Sequence, residues 1–121
     1  MPDERRRVLV VDDEPVIADT LSLILSEAGY DSSPAYTGTD AIEIARVFRP
    51  HFVISDIVMP GTSGIGVAIQ IRTFLPQCRI LLLTGQSVTP EMISSSQAEG
   101  LPFEILAKPL NPEELLARLK T

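Results

Sequence analysis

The sequence predicts an α/β protein whose parallel sheet carries helices on both faces. Five short strand-like segments alternate with five segments of helical character at regular spacing along the 121 residues. Such alternation is typical of repeated β-α units. Three of the strand-like segments contain the continuous apolar runs VLVV, FVI and ILLL. Runs of this kind are expected of strands that are covered on both faces.

The predicted strands lie at Val8–Val11, Tyr30–Ala35, within His51–Gly61, at Arg79–Thr84 and at Phe103–Ala107. The second is polar and contains Pro34, which favours a position at the edge of the sheet.

The predicted helices follow these strands, and their ends carry capping signals. Pro15 and Gly29 bound the first helix, and Thr37 caps the second with an acidic residue three positions later. The apolar stripe of the first helix is predicted to contain Val16, Ile17, Leu21, Ile24, Leu25 and Ala28. The remaining helices are expected over about Ile65–Phe74, over Pro90–Glu99 and after Asn111. The serine-rich fourth helix should be the least firmly held.

Composition indicates one domain over residues 1–121, with a core of about 7–120, and no effector domain in this chain. The net charge of −6 argues against direct binding to nucleic acid, which is itself strongly negative. No apolar run approaches the roughly 18 residues of a membrane span, and no secretory signal is evident. The single cysteine, Cys78, is expected to be a buried hydrophobe in a cytoplasmic protein.

Functional groups follow four of the five predicted strands. They are Asp12 and Asp13, Asp56, Thr84 and Lys108. Each has an ordinary explanation, since an acidic pair can cap a helix and a lysine can simply be solvated. A parallel sheet nevertheless brings all of its carboxyl ends to one edge, where ligand sites of open α/β sheets lie. We therefore expect these side chains to converge.

The chemistry of this set predicts an aspartyl phosphate site. Two like charges about 4 Å apart repel by roughly 4 kcal/mol at an effective dielectric constant near 20. Three carboxylates therefore need a cation or altered protonation. Oxygen ligands without histidine or cysteine favour Mg²⁺ or Mn²⁺. A divalent ion, an ammonium and a hydroxyl around a carboxylate suit phosphoryl transfer.

The motifs VLVVDDEP, FVISDIVMPGTSG, LLLTG and ILAKPL resemble the receiver domain of two-component response regulators. The resemblance covers about Arg7–Lys120. It implies a three-layer, flavodoxin-like (βα)5 fold whose parallel strands are ordered 2-1-3-4-5.

The resemblance also implies a role for each site residue. Asp56 would accept a phosphoryl group, Lys108 would pair with it, and Thr84 would turn to hydrogen-bond it. The metal ligands would be Asp13 and Asp56 directly, Asp12 through water, and Val58 through its backbone carbonyl. The Lys108–Pro109 peptide bond would be cis.

Two positions differ from the commonest family pattern. The usual switch aromatic is replaced by Ile105, and Phe103, on the same strand face, is expected to substitute in part. The positions that tune phosphoryl lifetime carry Val58 and Gln86. Since a valine cannot orient an attacking water, we expect slow loss of the phosphoryl group.

The resemblance implies a regulatory phosphoacceptor rather than an enzyme, with self-phosphorylation from small donors and autodephosphorylation. The expected partners are a sensor histidine kinase or histidine phosphotransfer protein, and a downstream protein or effector domain. The face made by the fourth helix, fifth strand and fifth helix would bind that target or form a homodimer on phosphorylation. No direct contact with nucleic acid or membrane is expected.

Two alternatives remain open on the sequence. One is a pseudo-receiver that binds partners without ever being phosphorylated. The other is a haloacid-dehalogenase-like phosphatase, which also forms an aspartyl phosphate with Mg²⁺. In that family the nucleophile follows the first strand in a D-x-D pattern, whereas this chain has adjacent aspartates there.

Overall fold

The structure is a computed structural model that describes residues 5–59, 62–85, 104–108 and 111–120. Its main sheet contains β1 (Arg7–Val11), β2 (Asp31–Ala35), β3 (Phe52–Asp56), β4 (Arg79–Thr84) and β5 (Glu104–Ala107). All neighbours are parallel, and the order is β2-β1-β3-β4-β5. The predicted fold and strand order are confirmed, including the edge position of the polar strand.

The described helices are α1 (Pro15–Glu27), α2 (Gly38–Phe48), α3 (Gly64–Phe74) and a last helix (Pro112–Leu119). The last helix corresponds to the fifth that the sequence predicts. The predicted fourth helix, together with Phe103, Gln86 and Pro109, lies outside the described residues.

The core has two parts, one on each face of the sheet. On one face Leu9, Val53 and Leu82 pack with apolar residues of α2 and α3. On the other, Val10 and Ile54 pack with α1 and the last helix. The result is the predicted three-layer arrangement, since apolar side chains cover both sides of the central strands.

Capping chemistry fixes the helix ends as the sequence predicts. Thr37 Oγ1 accepts a hydrogen bond from the Asp40 amide at 3.0 Å, and Asn111 Oδ1 accepts one from the Glu113 amide at 2.7 Å. Gly29, just after α1, has a φ of 101°, a conformation that favours glycine. Pro15 lies at the first position of α1, where its missing N–H costs little.

The predicted inward face of α1 is wrong at Val16 and Ala28. Val16 is 77% exposed, and the residues of α1 that are buried are Ala18, Ser22 and Leu25. At about 100° per residue, Val16 lies roughly 200° around the helix from Ala18 and so faces away from the sheet. The buried Ser22 would not be placed inside on hydrophobicity alone. Its hydroxyl lies 2.8 Å from that of Ser32 in β2, which satisfies it there.

A short antiparallel hairpin, Val58–Met59 with Thr62–Ser63, follows β3 and leads into α3. The sequence predicts only a turn and loop here. Within the described residues, no helix is long and apolar enough to cross a membrane.

Candidate functional site

The predicted functional residues lie at the carboxyl edge of the sheet. Asp12 and Asp13 directly follow β1, and Asp56 and Thr84 are the last residues of β3 and β4. Lys108 follows β5, and its amide donates a hydrogen bond to the Thr84 carbonyl at 2.7 Å. The convergence expected of a parallel sheet is therefore present.

Three carboxylates form a cluster at this edge. One carboxylate oxygen from each of Asp12, Asp13 and Asp56 lies within 4.8 Å of the others. Asp12 is buried, Asp56 is partly buried and Asp13 is exposed. The donors are all carboxylate oxygens and their combined charge is strongly negative, so the cluster fits a hard divalent cation such as Mg²⁺.

Asp12 is fixed within the cluster by local hydrogen bonds. Its Oδ1 accepts the Glu14 amide at 2.9 Å, and its own amide donates to the Ala35 carbonyl at 3.0 Å. Burial raises the pKa of Asp12, and the charges of Asp56 and Asp13 add to that effect. The Glu14 amide and the Lys108 ammonium oppose it without cancelling it.

Lys108 is the cation of the site. Its Nζ lies 2.6 Å from Asp56 Oδ1 and 3.9 Å from Asp12 Oδ2. Burial lowers the pKa of Lys108, but the hydrogen bond and charge of Asp56, with help from Asp12 and Glu14, outweigh burial and raise it overall. The lysine is therefore held protonated against the carboxylates.

The other predicted site residues differ in how far they are buried. Thr84 is buried, with 2% of its surface exposed. Val58 stands in the hairpin with 72% of its surface exposed, two residues from Asp56. Ile105 is partly buried against the core on the side of α2 and α3.

Gly64 is a positioning residue that the sequence reasoning missed. A Cβ atom at Gly64 would overlap the carbonyl oxygen of Asp56 and would lie 2.9 Å from the Asp56 carbonyl carbon and from Ile57 Cα. The Gly64 amide also donates to the Ile57 carbonyl at 2.7 Å. The start of α3 is thus packed directly on the backbone that carries Asp56. The available signal was a glycine at a predicted helix start closely following that strand.

His51 lies at the opposite, amino edge of the sheet. It is partly buried, and its Nδ1 accepts the Arg7 amide at 2.9 Å. Burial lowers the pKa of His51, and the charges of Arg7 and Arg6 lower it further. Sequence periodicity gives no sign of this bond, since it joins residues 44 positions apart.

Comparison with known proteins gives consistent matches over nearly the whole chain. Residues 8–120 match the model of the response regulator receiver domain family. The chain is 37% identical over 113 residues to TcrX of Mycobacterium tuberculosis, named a probable transcriptional regulatory protein, with 93% of this chain and 47% of TcrX covered. The chain thus spans about half the length of this curated relative.

Solved structures match the fold closely. The chemotaxis protein CheY4 of Vibrio cholerae superposes with a TM-score of 0.88 at 34% identity, covering 96% of this chain and 97% of CheY4. The response regulator TrrA of Thermotoga maritima, solved in complex with Mg²⁺-BeF, gives a TM-score of 0.81 at 37% identity, covering 95% and 96% of the two chains.

Proposed function

This chain belongs to the response regulator receiver domain family, and on that basis we propose that it is a phosphorylation-controlled signalling module whose phosphoryl acceptor is Asp56. The observation that carries the proposal is the 2.6 Å contact between Lys108 Nζ and Asp56 Oδ1 beside the acidic cluster. A carboxylate at a strand end with a fixed cation against it is prepared to carry a phosphoryl group.

The phosphoryl donor is a phosphohistidine on a sensor kinase or a histidine phosphotransfer protein. The bond between the histidine nitrogen and phosphorus breaks as an Asp56 carboxylate oxygen bonds to phosphorus, and the nitrogen keeps the electron pair. Lys108 then faces the phosphoryl oxygens as well as the acyl group. Its ammonium offsets the negative charge of the phosphoryl oxygens.

The carboxylates of Asp12, Asp13 and Asp56 would hold Mg²⁺ or Mn²⁺, with Asp12 acting through water and the Val58 carbonyl completing the protein ligands. When bound, the ion supplies positive charge that both carboxylates and phosphoryl oxygens need. Asp12 is oriented for this role before any ligand arrives, because its Oδ1 accepts a hydrogen bond from the Glu14 amide at 2.9 Å.

The conformational response begins at Thr84, whose hydroxyl turns to hydrogen-bond the phosphoryl group. Ile105 supports this movement less directly than an aromatic ring would, with Phe103 as partial substitute. The output surface comprises the predicted fourth helix, β5 and the last helix. It controls a downstream protein or effector domain, or forms a homodimer on phosphorylation.

The protein acts in the cytoplasm. TcrX is named a transcriptional regulatory protein, and it is about twice as long as the matched segment. Any action of our protein on DNA would run through a partner or another domain, since the chain has a net charge of −6. The module itself is a regulatory phosphoacceptor that can be charged by small phosphate donors and loses its phosphoryl group by autodephosphorylation.

Intact-mass measurement after incubation with acetyl phosphate and Mg²⁺ tests the proposal. The wild type should gain about 80 Da, one phosphoryl group, and Asp56→Ala should gain nothing. Asp40→Ala, an exposed aspartate in α2, is the matched control and should be labelled like the wild type. An unlabelled wild type would indicate a pseudo-receiver. A label that persists in Asp56→Ala and maps to Asp12 or Asp13 would indicate the phosphatase-like alternative.

A further inference from the structure

The amino edge of the sheet carries a concentration of positive charge that the phosphoacceptor site does not use. Two adjoining depressions at this edge share Arg6 and Lys120 in their walls, and the larger has a volume of about 830 Å³. Six of the ten Lys and Arg residues line them: Arg5, Arg6, Arg7, Arg49, Arg79 and Lys120. Among the described residues, neither lining includes Asp or Glu. Basic side chains are thus concentrated at this edge of the sheet.

Two of these arginines are held in place by the fold. Arg7 Nε donates to the carbonyls of Phe48 at 2.8 Å and Arg49 at 3.0 Å, which ties the start of β1 to the end of α2. Arg79 forms a two-pronged pair with Glu104, at 2.6 and 2.8 Å. Both guanidinium groups are therefore fixed before any ligand arrives, and the Glu104 carboxylate offsets the charge of Arg79.

Three further cations, Arg6, Arg49 and Lys120, form no such pairs with carboxylates in the part of the chain that the structure describes. Arg49 also has a φ of 50°, the only positive φ of a described residue other than glycine. Glycine or asparagine usually occupies this position after a helix. The charge of Arg49 thus lies at the carboxyl end of α2, at the amino edge of the sheet.

His51 adds a neutral hydrogen-bond donor to the larger depression. Because its Nδ1 accepts the Arg7 amide, the neutral ring carries its proton on Nε2. Burial, together with the charges of Arg7 and Arg6, lowers its pKa and so favours the neutral ring. Pro50, Leu75 and Pro76 supply an apolar part of the wall.

We propose that this basic depression binds a small organic phosphate that carries at least two phosphate groups, such as a nucleoside diphosphate. A guanidinium group can form two parallel hydrogen bonds to a phosphate group, and it can stack on an aromatic ring. The apolar wall can contact the organic part of the ligand. A volume of about 830 Å³ lies within the range of small-molecule sites. The depression is distinct from the phosphoacceptor site and does not depend on its function.

An NMR titration of the whole chain with ADP tests the proposal. EDTA is present throughout, so that no metal-bound nucleotide can reach the acidic cluster. Saturable shifts are expected at the backbone amides of Arg6, His51 and Gln77, with a Kd below about 1 mM. Shifts centred on Asp12 and Asp56 instead, or no saturation in that range, would overturn the proposal.

Substitutions identify the source of the affinity. Arg49→Gly removes one charge at a backbone conformation that suits glycine, so folding should survive, and Arg6→Gln is a second test. Each should weaken ADP binding on the order of tenfold. The matched control, Arg46→Gln, changes an exposed arginine of α2 that packs 4.3 Å from the Phe74 ring, outside both depressions. Unchanged affinity in both test variants, or an equal loss in Arg46→Gln, would contradict the proposal.

Competition distinguishes phosphate recognition from general attraction of anions. Inorganic tripolyphosphate should displace ADP from the wild type. A hexaglutamate peptide that displaces ADP equally well would overturn the proposal in favour of an acidic protein segment. AMP binding as tight as that of ADP would contradict the requirement for two phosphate groups.

Discussion

Lys108 Nζ lies 2.6 Å from Asp56 Oδ1 and 3.9 Å from Asp12 Oδ2, so one ammonium group forms ion pairs with two carboxylates. Asp12 has only 4% of its side chain exposed, and Lys108 has 30%. The lysine comes from β5 and the aspartates from the ends of β3 and β1. This arrangement joins strands that are not all neighbours in the sheet.

Replacing Lys108 with Met should lower both stability and phosphorylation. The free energy of unfolding without Mg²⁺ should fall by about 1 kcal/mol, because the carboxylates lose a partly solvated counter-charge. Labelling by acetyl phosphate should also slow. Urea titration and timed mass spectra measure the two effects. Arg46→Met, which removes a cation from α2, should label at the wild-type rate, and equal slowing there would argue against a local role for Lys108.

Mg²⁺ should stabilise the protein through the acidic cluster. At ten times its Kd the ion should raise the free energy of unfolding by about 1.4 kcal/mol, because it binds only the folded arrangement of carboxylates. Asp13→Asn should lose most of this gain, whereas Glu27→Gln, at the far end of α1, should keep it. Thermal unfolding with and without Mg²⁺ provides the measurement. A gain that persists in Asp13→Asn would place the ion elsewhere.

The two glycines at the start of α3 should respond oppositely to alanine. Gly64→Ala should destabilise the fold by about 2 kcal/mol, since the new Cβ would overlap the Asp56 carbonyl oxygen. A Cβ atom at Gly66 would meet no atom within 4 Å, so Gly66→Ala should stabilise the helix by up to about 1 kcal/mol. Urea unfolding measures both variants, and equal effects would refute the close packing of α3 on the Asp56 backbone.

Stability should depend on pH through His51. Its pKa in the folded protein lies below the ordinary value of 6.5, chiefly because of burial. Between these two values the unfolded chain binds more protons, so stability rises with pH through this window, and this contribution is lost as pH falls through it. An asparagine can accept the Arg7 amide without titrating, so His51→Asn should flatten this part of the profile. Melting temperatures at closely spaced pH values test this, and an equally steep profile in the variant would contradict it.

Val58 should prolong the life of the phosphorylated form. It stands exposed near Asp56 and has no group that could orient an attacking water. Val58→Asn should therefore lose the phosphoryl group faster, because an amide can hold a water near phosphorus. Decay of the phosphorylated mass after removal of acetyl phosphate gives the rate. Val47→Asn, at an exposed position of α2, should decay like the wild type, and faster decay in the wild type than in Val58→Asn would refute the idea.

The architecture was predictable because its signals are local or follow from topology. The continuous apolar runs of β1, β3 and β4 report burial on both faces. The residues at the carboxyl ends of the parallel strands could be grouped without coordinates, because these ends lie at one edge of the sheet. That reasoning brought Asp12, Asp56 and Lys108 together correctly.

The remaining features depend on contacts between distant parts of the chain. The inward face of α1 is set by how the helix lies on the sheet, which buries Ser22 and exposes Val16. The role of Gly64 depends on the backbone of another strand, and that of His51 on the Arg7 amide. Composition and periodicity carry no information about such pairings.

The polar strand β2 forms one edge of the sheet, where a strand of another molecule could pair with it. Asp31 and Ala35 direct their backbone groups toward β1, through an amide and a carbonyl bond respectively. In a strand the intervening residues face the other way, so the outer rim of the sheet presents the backbone of Ser32 and Pro34. Proline has no amide hydrogen to offer an incoming strand. Pro34 thus protects the protein against edge-to-edge aggregation at this side of the sheet.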